Sequence, residues 1–200
     1  MNDTVEEILS WWFGDMDGPH DMDMSKLPMW FMGGPDFDRE VRERWGEPVE
    51  RAMRGELDEW AETPRGRLAL VLLLDQLTRN VFRGSARSFE ADPKALALVL
   101  EGIERGHDTE LRTVERQFLY MPLMHAEDRD VAERSVAIAR ALRDALPEDV
   151  RPRFQGYVDH AEKHAAIVRQ FGRYPHRNEI LGRESSEEEL AFMKEKGRGF

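Results

Sequence analysis

The chain has 200 residues, 40% of them hydrophobic, and a formal net charge of -11, so it can bury one substantial core. Its acidic charge opposes binding to nucleic acid, because that affinity comes from clustered Lys and Arg. The absence of cysteine excludes disulfides and thiolate metal sites. The longest apolar run, Leu68 to Leu74, is too short to cross a bilayer, and the N-terminal segment is acidic where a signal peptide is basic. We therefore expect one cytoplasmic domain over residues 1–200, without nucleic-acid or membrane partners.

The N-terminal part of the chain predicts a short helix followed by a loop. Apolar residues recur at helical intervals from Val5 to Trp12, and Gly14 ends this pattern. Residues 15–34 contain glycine, proline and methionine without a clear period. Such composition is typical of a loop, and we expect three of its side chains to be buried in the core: Met29, Trp30 and Phe31.

A central buried helix is predicted after a second helix. The second helix begins at Asp36, and Pro48 should kink or restart it. Thr63-Pro64 is a helix start, and the run from Leu68 to Leu74 is apolar on every face, as expected for a helix surrounded by others. Its C-terminal end should present polar groups, namely Asp75, Gln76, Arg79 and Asn80.

Helix follows helix in the second half of the chain. Helix starts are predicted at Asp92-Pro93, Thr113 and Asp128, and a long helix over residues 153–170 places His164 on its apolar side. Ser185 with Glu188 has the spacing of a capping box for a last helix. No segment has the alternating pattern of a strand. The sequence thus predicts an all-α protein, an antiparallel stack of about eight to ten helices.

Two basic segments stand out in this acidic chain. Residues 171–183 contain three arginines and one histidine but a single acid, and residues 76–89 contain Arg79, Arg83 and Arg87 without any acid. Like charges four residues apart are unfavourable unless carboxylates or an anionic ligand compensate them. Internal compensation would pair Arg79 with Asp75 and use three other acids for the remaining arginines: Asp92, Glu127 and Asp128.

Histidines supply the remaining candidate chemistry. His160 and His164 share a helix face, and with His125 and Glu127 they could hold a divalent ion. The zinc-protease pattern is absent, however, because Ala161 follows His160 where that pattern has glutamate. Such histidines are more often hydrogen-bonded core residues, and we predict neither a metal nor a cofactor. No serine has the glycine setting of a nucleophile turn.

Four segments in order resemble the bacterial family catalogued as domain of unknown function 924. They are residues 8–14, residues 73–84 with Asp92, residues 115–122 leading to His125 and Glu127, and His164 with residues 171–183. Thr78 and Ala126 depart from the family pattern, which usually has proline and serine there. The resemblance covers nearly the whole chain and implies a tetratricopeptide-like helical fold. It implies no established activity.

Two functional hypotheses remain open. In the first, one pocket binds a small phosphate- or carboxylate-bearing ligand, since guanidinium groups bind both in two-pronged fashion. If this site is enzymatic, His125 or His176 would carry a proton and Glu127 would orient it. In the second, the same groups form a structural ion-pair lattice in a scaffold that binds a protein partner. The number of carboxylates within reach distinguishes the hypotheses, and the proposed pocket residues are Arg79, Asn80, Arg83, His125, Glu127, His164, Arg173, His176, Arg177 and Asn178.

Overall fold

The computed structural model describes residues 3–31 and 33–196, and these residues contain helices and no β-strand. This confirms the all-α prediction. The chain divides into two compact units, Met1–Pro122 and Leu123–Phe200, which we call unit 1 and unit 2. The expectation of a single domain over residues 1–200 stays a prediction.

Unit 1 is built around a buried helical segment that runs through three consecutive elements. They are α4 (Pro64–Val71), a π-helical stretch (Leu72–Leu77) and α5 (Thr78–Val81). The Thr63 hydroxyl accepts a hydrogen bond from the backbone N–H of Gly66 at 3.1 Å, which confirms the predicted helix start. All residues from Leu68 to Leu74 are fully buried, as the uniformly apolar run predicts.

The other helices of unit 1 pack around this segment. They are α1 (Asp3–Phe13), α2 (Leu27–Phe31), α3 (Pro35–Met53), α6 (Asp92–Glu104) and α7 (Thr113–Leu119). α3 lies against α5 and the π-helical stretch, whereas α1, α6 and α7 contact α4. The buried face of α3 includes Val41, Trp45 and Val49, which recur at helical spacing.

Two expectations for unit 1 are wrong. α3 continues from Pro35 to Met53 with Pro48 inside it, so the helix does not restart at the proline, because buried residues on both sides hold it against its neighbours. A kink at Pro48 stays a prediction. Residues 27–31 form the short helix α2, and the side chain of Phe31 is 63% exposed rather than buried. Met29 and Trp30 are only half-buried, so none of the three side chains is buried as expected. Successive residues of a helix point in different directions and cannot all face the core.

Unit 2 consists mainly of two long helices packed against each other, α9 (Arg129–Asp144) and α10 (Arg151–Phe171). Asp128 caps α9 by accepting a hydrogen bond from the N–H of Val131 at 3.0 Å, as predicted. The preceding helix α8 (Met121–His125) spans the boundary between the units. After α10, a 3-10 turn (Pro175–Arg177) leads to α11 (Glu187–Lys196).

Candidate functional site

Asp38 is the centre of a buried polar cluster in unit 1. Its side chain, from the first turns of α3, accepts hydrogen bonds from Asn80 Nδ2 at 2.8 Å and from Arg83 Nη2 at 2.9 Å. The second carboxylate oxygen accepts from Arg83 Nε. Burial opposes the charge on Asp38, but the bonds from Arg83 and Asn80 outweigh it and lower the pKa of this carboxyl. Asp38 is therefore an ionised internal partner for two of the predicted ligand-binding residues.

Sequence reasoning missed Asp38 because its partners lie about forty residues away in the chain. A signal was nevertheless present. Asp38 stands three and seven residues before Val41 and Trp45, so it lies on the buried face of α3. An acid on an apolar helix face needs a partner.

Arg79 lies closer to Asp92, an acid predicted for other arginines, than to Asp75, its predicted partner. Its Nη2 lies 2.7 Å from Asp92 Oδ1 and 3.8 Å from Asp75 Oδ1, and Nη1 donates to the carbonyl of Ser88. The π-helical stretch carries Asp75, which is fully buried. Arg87, the third arginine of this segment, makes a bidentate pair with Glu50 on the surface.

The Asp38 contacts predict a position-specific loss of stability. Asp38→Ala leaves Asn80 and Arg83 without their carboxylate. We expect the free energy of unfolding to fall by about 2 kcal/mol, a moderate loss, because Asp38 is buried but its ion-pair partner Arg83 is exposed. Urea unfolding followed by circular dichroism measures this change. The control is Asp36→Ala, two residues earlier, whose side chain is 91% exposed and pairs with Arg39; it should cost less than about 1 kcal/mol. Equal effects of both changes would contradict the assignment.

Glu127 is the corresponding centre in unit 2. Its Oε1 accepts from the backbone N–H of Tyr174 at 2.8 Å and from Arg183 Nη2 at 2.9 Å, and its Oε2 accepts from Arg183 Nη1 at 2.5 Å. Burial would raise the pKa of Glu127, but the bonds from Arg183 and Tyr174 outweigh burial, so the pKa is lowered. Internal hydrogen bonds thus occupy both oxygens of the group proposed to orient a catalytic histidine.

Arg173 is compensated by Glu189, which is 3% exposed. The two side chains form a bidentate pair at 2.7 and 2.8 Å, and this contact holds the pKa of Glu189 at about 2. Glu189 also accepts from the N–H of Ser186, whose hydroxyl accepts from the N–H of Glu189. This is a capping box one residue later than the predicted Ser185 and Glu188, because the buried pair with Arg173 selects Glu189.

Asn178 links the two ion pairs of unit 2. Its side chain is fully buried; Nδ2 donates to Ser185 Oγ at 3.0 Å and Oδ1 accepts from Arg183 Nε at 3.0 Å. Nδ2 also lies 3.3 Å from Glu189 Oε2. The segment 171–183 is therefore connected to α11 and to Glu127 by one continuous network.

The histidines of unit 2 form a separate aromatic cluster around His164, which is 7% exposed as predicted. Its ring centroid lies 4.3 Å from that of His160, 6.2 Å from that of His125 and 5.6 Å from that of Tyr174. His164 Nδ1 is 2.9 Å from the carbonyl of His160, so this nitrogen carries the proton and donates. The Tyr174 hydroxyl donates to the carbonyl of Met124.

Burial, followed by the charges of His160 and His125, lowers the pKa of His164 to about 3. Burial also lowers the pKa of His160. These rings are therefore neutral at pH 7. Within residues 3–31 and 33–196, no group of His, Asp and Glu has a geometry that could hold a metal ion.

Two more of the predicted residues lie beside this cluster. Arg177 is 6% exposed, and its guanidinium carbon lies 4.7 Å from the centre of the Tyr174 ring. His176 lines a groove of about 480 Å³ in unit 2. Glu179, Glu184 and Arg183 also line this groove, and Arg183 is bound to Glu127. The groove therefore has two carboxylates beside one compensated guanidinium.

The ten proposed pocket residues fall into two groups. Arg79, Asn80 and Arg83 belong to unit 1, and the other seven belong to unit 2. In unit 1 all three bond to acids within the unit, and in unit 2 Glu127, Arg173 and Asn178 belong to the network with Arg183 and Glu189. Their convergence on one ligand pocket stays a prediction.

These features define an all-helical protein in which carboxylates of the same unit bind five of the six clustered arginines: Arg79, Arg83, Arg87, Arg173 and Arg183. Residues 8–197 match the family described as "Bacterial protein of unknown function (DUF924)". The chain belongs to this family, which confirms the resemblance found in the sequence. A comparison with curated proteins found no match.

The structure is also similar to that of a protein of unknown function, ATU0120, from Agrobacterium tumefaciens. The two chains are 35% identical, the match covers 96% of this chain and 97% of the other, and the TM-score is 0.80. Among the helices of the part of the chain that the structure describes, none has the length and apolarity needed to span a membrane.

Proposed function

We propose that the chain is a helical scaffold for protein–protein interaction. In this scaffold the ion pairs of the arginine clusters hold the helices in place, and we call these ion pairs structural locks. The observation that carries this proposal is the pairing of guanidinium groups with acids. Arg79, Arg83, Arg173 and Arg183 each have a carboxylate oxygen within 2.9 Å. A guanidinium that already has a bidentate carboxylate gains little from a second anion, since its planar donor edge is occupied.

The locks connect elements that local sequence cannot hold together. Asp38 joins α3 to α5, and Glu127 joins the end of α8 to the segment before α11. Removing one partner of such a partly buried charge pair costs about 2 kcal/mol, so these contacts restrict the alternative packings of short helices. The result is a defined helical surface on which a partner could bind.

A titration with small anions separates this proposal from ligand binding. The melting temperature would be measured in inorganic phosphate, pyrophosphate and citrate, each compared with sodium chloride of equal ionic strength. For a scaffold we expect the curves to coincide with the chloride curve, because screening alone then acts on the surface charges. A saturable rise of several degrees specific to one anion would overturn the proposal.

Variants make the same experiment specific to the predicted pocket. Arg79→Gln and Arg177→Gln each remove one guanidinium, whereas Arg169→Gln removes one from an exposed pair with Glu133 and serves as the control. A saturable anion effect that disappears in the first two variants and persists in Arg169→Gln would establish the ligand pocket in place of the scaffold. The expected result is that, in each of the four proteins, the melting temperature responds to the anions as it responds to sodium chloride, although Arg79→Gln and Arg177→Gln melt at a lower temperature than the wild type.

A further inference from the structure

Unit 1 has an open groove of about 670 Å³ between the end of α1, α2 and the start of α3. Trp11 and Phe37 stand at one side with nearly parallel rings, whose centroids are 6.1 Å apart. Pro28 and Met29 of α2 contribute further apolar lining. The other residues that line the groove are Ser25, Lys26, Gly33, Gly34, Pro35, Asp36 and Glu40. The volume is in the range of sites that take up several side chains of a ligand.

The short helices that line this groove also carry large exposed apolar side chains. Met24 is 65% exposed and Phe31 is 63% exposed, the highest values among the large hydrophobic residues that the structure describes. Both belong to the short helices that contribute to the groove. A solvent-facing aromatic next to an apolar groove is typical of a binding surface. Methionine adapts its shape to different partners because it is unbranched and polarizable.

The charged residues around the groove indicate the charge of the segment that would bind there. Asp36 and Glu40 line it and are exposed, and Asp36 pairs with the exposed Arg39. The exposed residues Asp15 and Asp17 belong to the loop that precedes the short helices. Lys26 is the single basic residue in the lining. The chain as a whole carries a net charge of -11. Such a rim attracts a basic segment and repels an acidic one.

From these observations we infer that the groove docks a basic amphipathic helix of another protein, with apolar side chains in the groove and Lys or Arg facing the acidic rim. Helices bind apolar grooves through anchors at i, i+3, i+4 and i+7, with their polar face toward the rim. The inference rests on the proposed scaffold function and assigns its binding surface and partner class.

A synthetic peptide tests this inference directly. The probe is a fluorescein-labelled peptide of about 18 leucine and lysine residues, with leucines at helical spacing. Fluorescence anisotropy measures its binding to the full chain at about 50 and 300 mM salt. We expect saturable binding that weakens at the higher salt concentration. Phe31→Ser and Met24→Ser should each weaken binding about tenfold, because they remove an apolar anchor without disturbing the buried core.

The controls separate groove binding from attraction to an acidic protein. Leu190→Ser in unit 2 removes another exposed apolar side chain, of 54% exposure, and should bind like the wild type. A peptide of the same composition with scrambled leucine positions tests the role of the apolar face, and a leucine–glutamate peptide tests charge. Equal binding of either control peptide, indifference to Phe31→Ser, or no binding at about 100 µM would overturn the inference. These results leave the scaffold proposal itself to be decided by the anion titration.

Discussion

Arg67→Met should lower the free energy of unfolding by about 3 kcal/mol, because it removes the donors for three uncharged acceptors at about 1 kcal/mol each, and also the ion pair with the exposed Glu101. Arg67 lies in α4 and is fully buried. Its guanidinium donates to the carbonyls of Ala61 at 2.8 Å and Leu98 at 2.7 Å, and Nε donates to His107 Nδ1 at 3.2 Å. Methionine can fill the space of the apolar stem but offers no N–H group to these acceptors.

The environment of Arg67 explains why the loss should be large. A Cβ at Gly102 of α6 would lie 2.7 Å from Arg67 Cδ, so the glycine allows α6 to approach the arginine stem closely. Burial and the charge of Arg67 lower the pKa of His107, which keeps this ring a neutral acceptor. Arg67 thus joins α4 to the segment before it, to α6 and to the turn after α6.

Urea unfolding at pH 7 measures the effect of Arg67→Met. Arg39→Met is the matched control, because the Arg39 guanidinium makes an exposed pair with Asp36; it should cost less than about 1 kcal/mol. If Arg67→Met unfolds at the same urea concentration as the control, the buried hydrogen bonds do not carry the stability assigned to them.

Acidification should destabilise the protein between pH 6.5 and 4.5 through His164. The ordinary pKa of histidine is 6.5, and that of His164 in the folded chain is about 3. Because the folded state binds fewer protons in this interval, the stability contributed by neutral His164 is complete above pH 6.5 and is lost as the pH falls toward 3. The expected loss is about 1.4 kcal/mol per pH unit for this one group.

The groups around His164 explain why the ring resists protonation. His160 and Lys163 lie on the same helix, His125 lies on α8, and Arg177 is a buried cation. Protonating the ring would therefore add a charge in a buried, electropositive place. The carboxylate of Glu189, with a pKa lowered from 4.5 to about 2, loses its contribution only below pH 4.5. The change in the free energy of unfolding above pH 4.5 therefore comes mainly from the histidines.

His164→Asn provides the test, because asparagine can still donate to the carbonyl of His160 but does not titrate. Its free energy of unfolding, measured by urea titration at several pH values, should fall about 2 kcal/mol less between pH 6.5 and 4.5 than that of the wild type. The control is Val158→Ala in the same helix, which removes buried apolar atoms but no titratable group, and it should keep the wild-type slope. A wild-type slope in His164→Asn would rule out His164 as the acid-sensitive group.

Features that depend on neighbouring residues were predictable. Thr63 caps α4, Asp128 caps α9 and Gly14 follows α1, as the local patterns indicate. Helical periodicity likewise placed His164 on the buried face of α10. These outcomes follow from bonds within one turn and from the 3.6-residue period, both of which can be read along the chain.

The partners of the arginines were only partly predictable. Asp75 was proposed for Arg79 and lies 3.8 Å from it, but the closer partner, at 2.7 Å, is Asp92, which was proposed for other arginines. Asp38 and Glu189 were not proposed for Arg83 and Arg173. The composition shows that these arginines need a compensating charge but does not identify it. Many acids are available in a chain with 40 of them, and only packing brings a particular one within hydrogen-bonding distance.

The sequence by itself determined the all-α class, the main helix starts, the buried central segment and the family. Tertiary structure decided that Asp38, Glu127 and Glu189 compensate the basic clusters and that Phe31 lies on the surface beside a groove. The physical reason is the range of the interactions. Capping and helical periodicity act within a few residues, whereas an ion pair or an exposed apolar side chain depends on how distant helices pack.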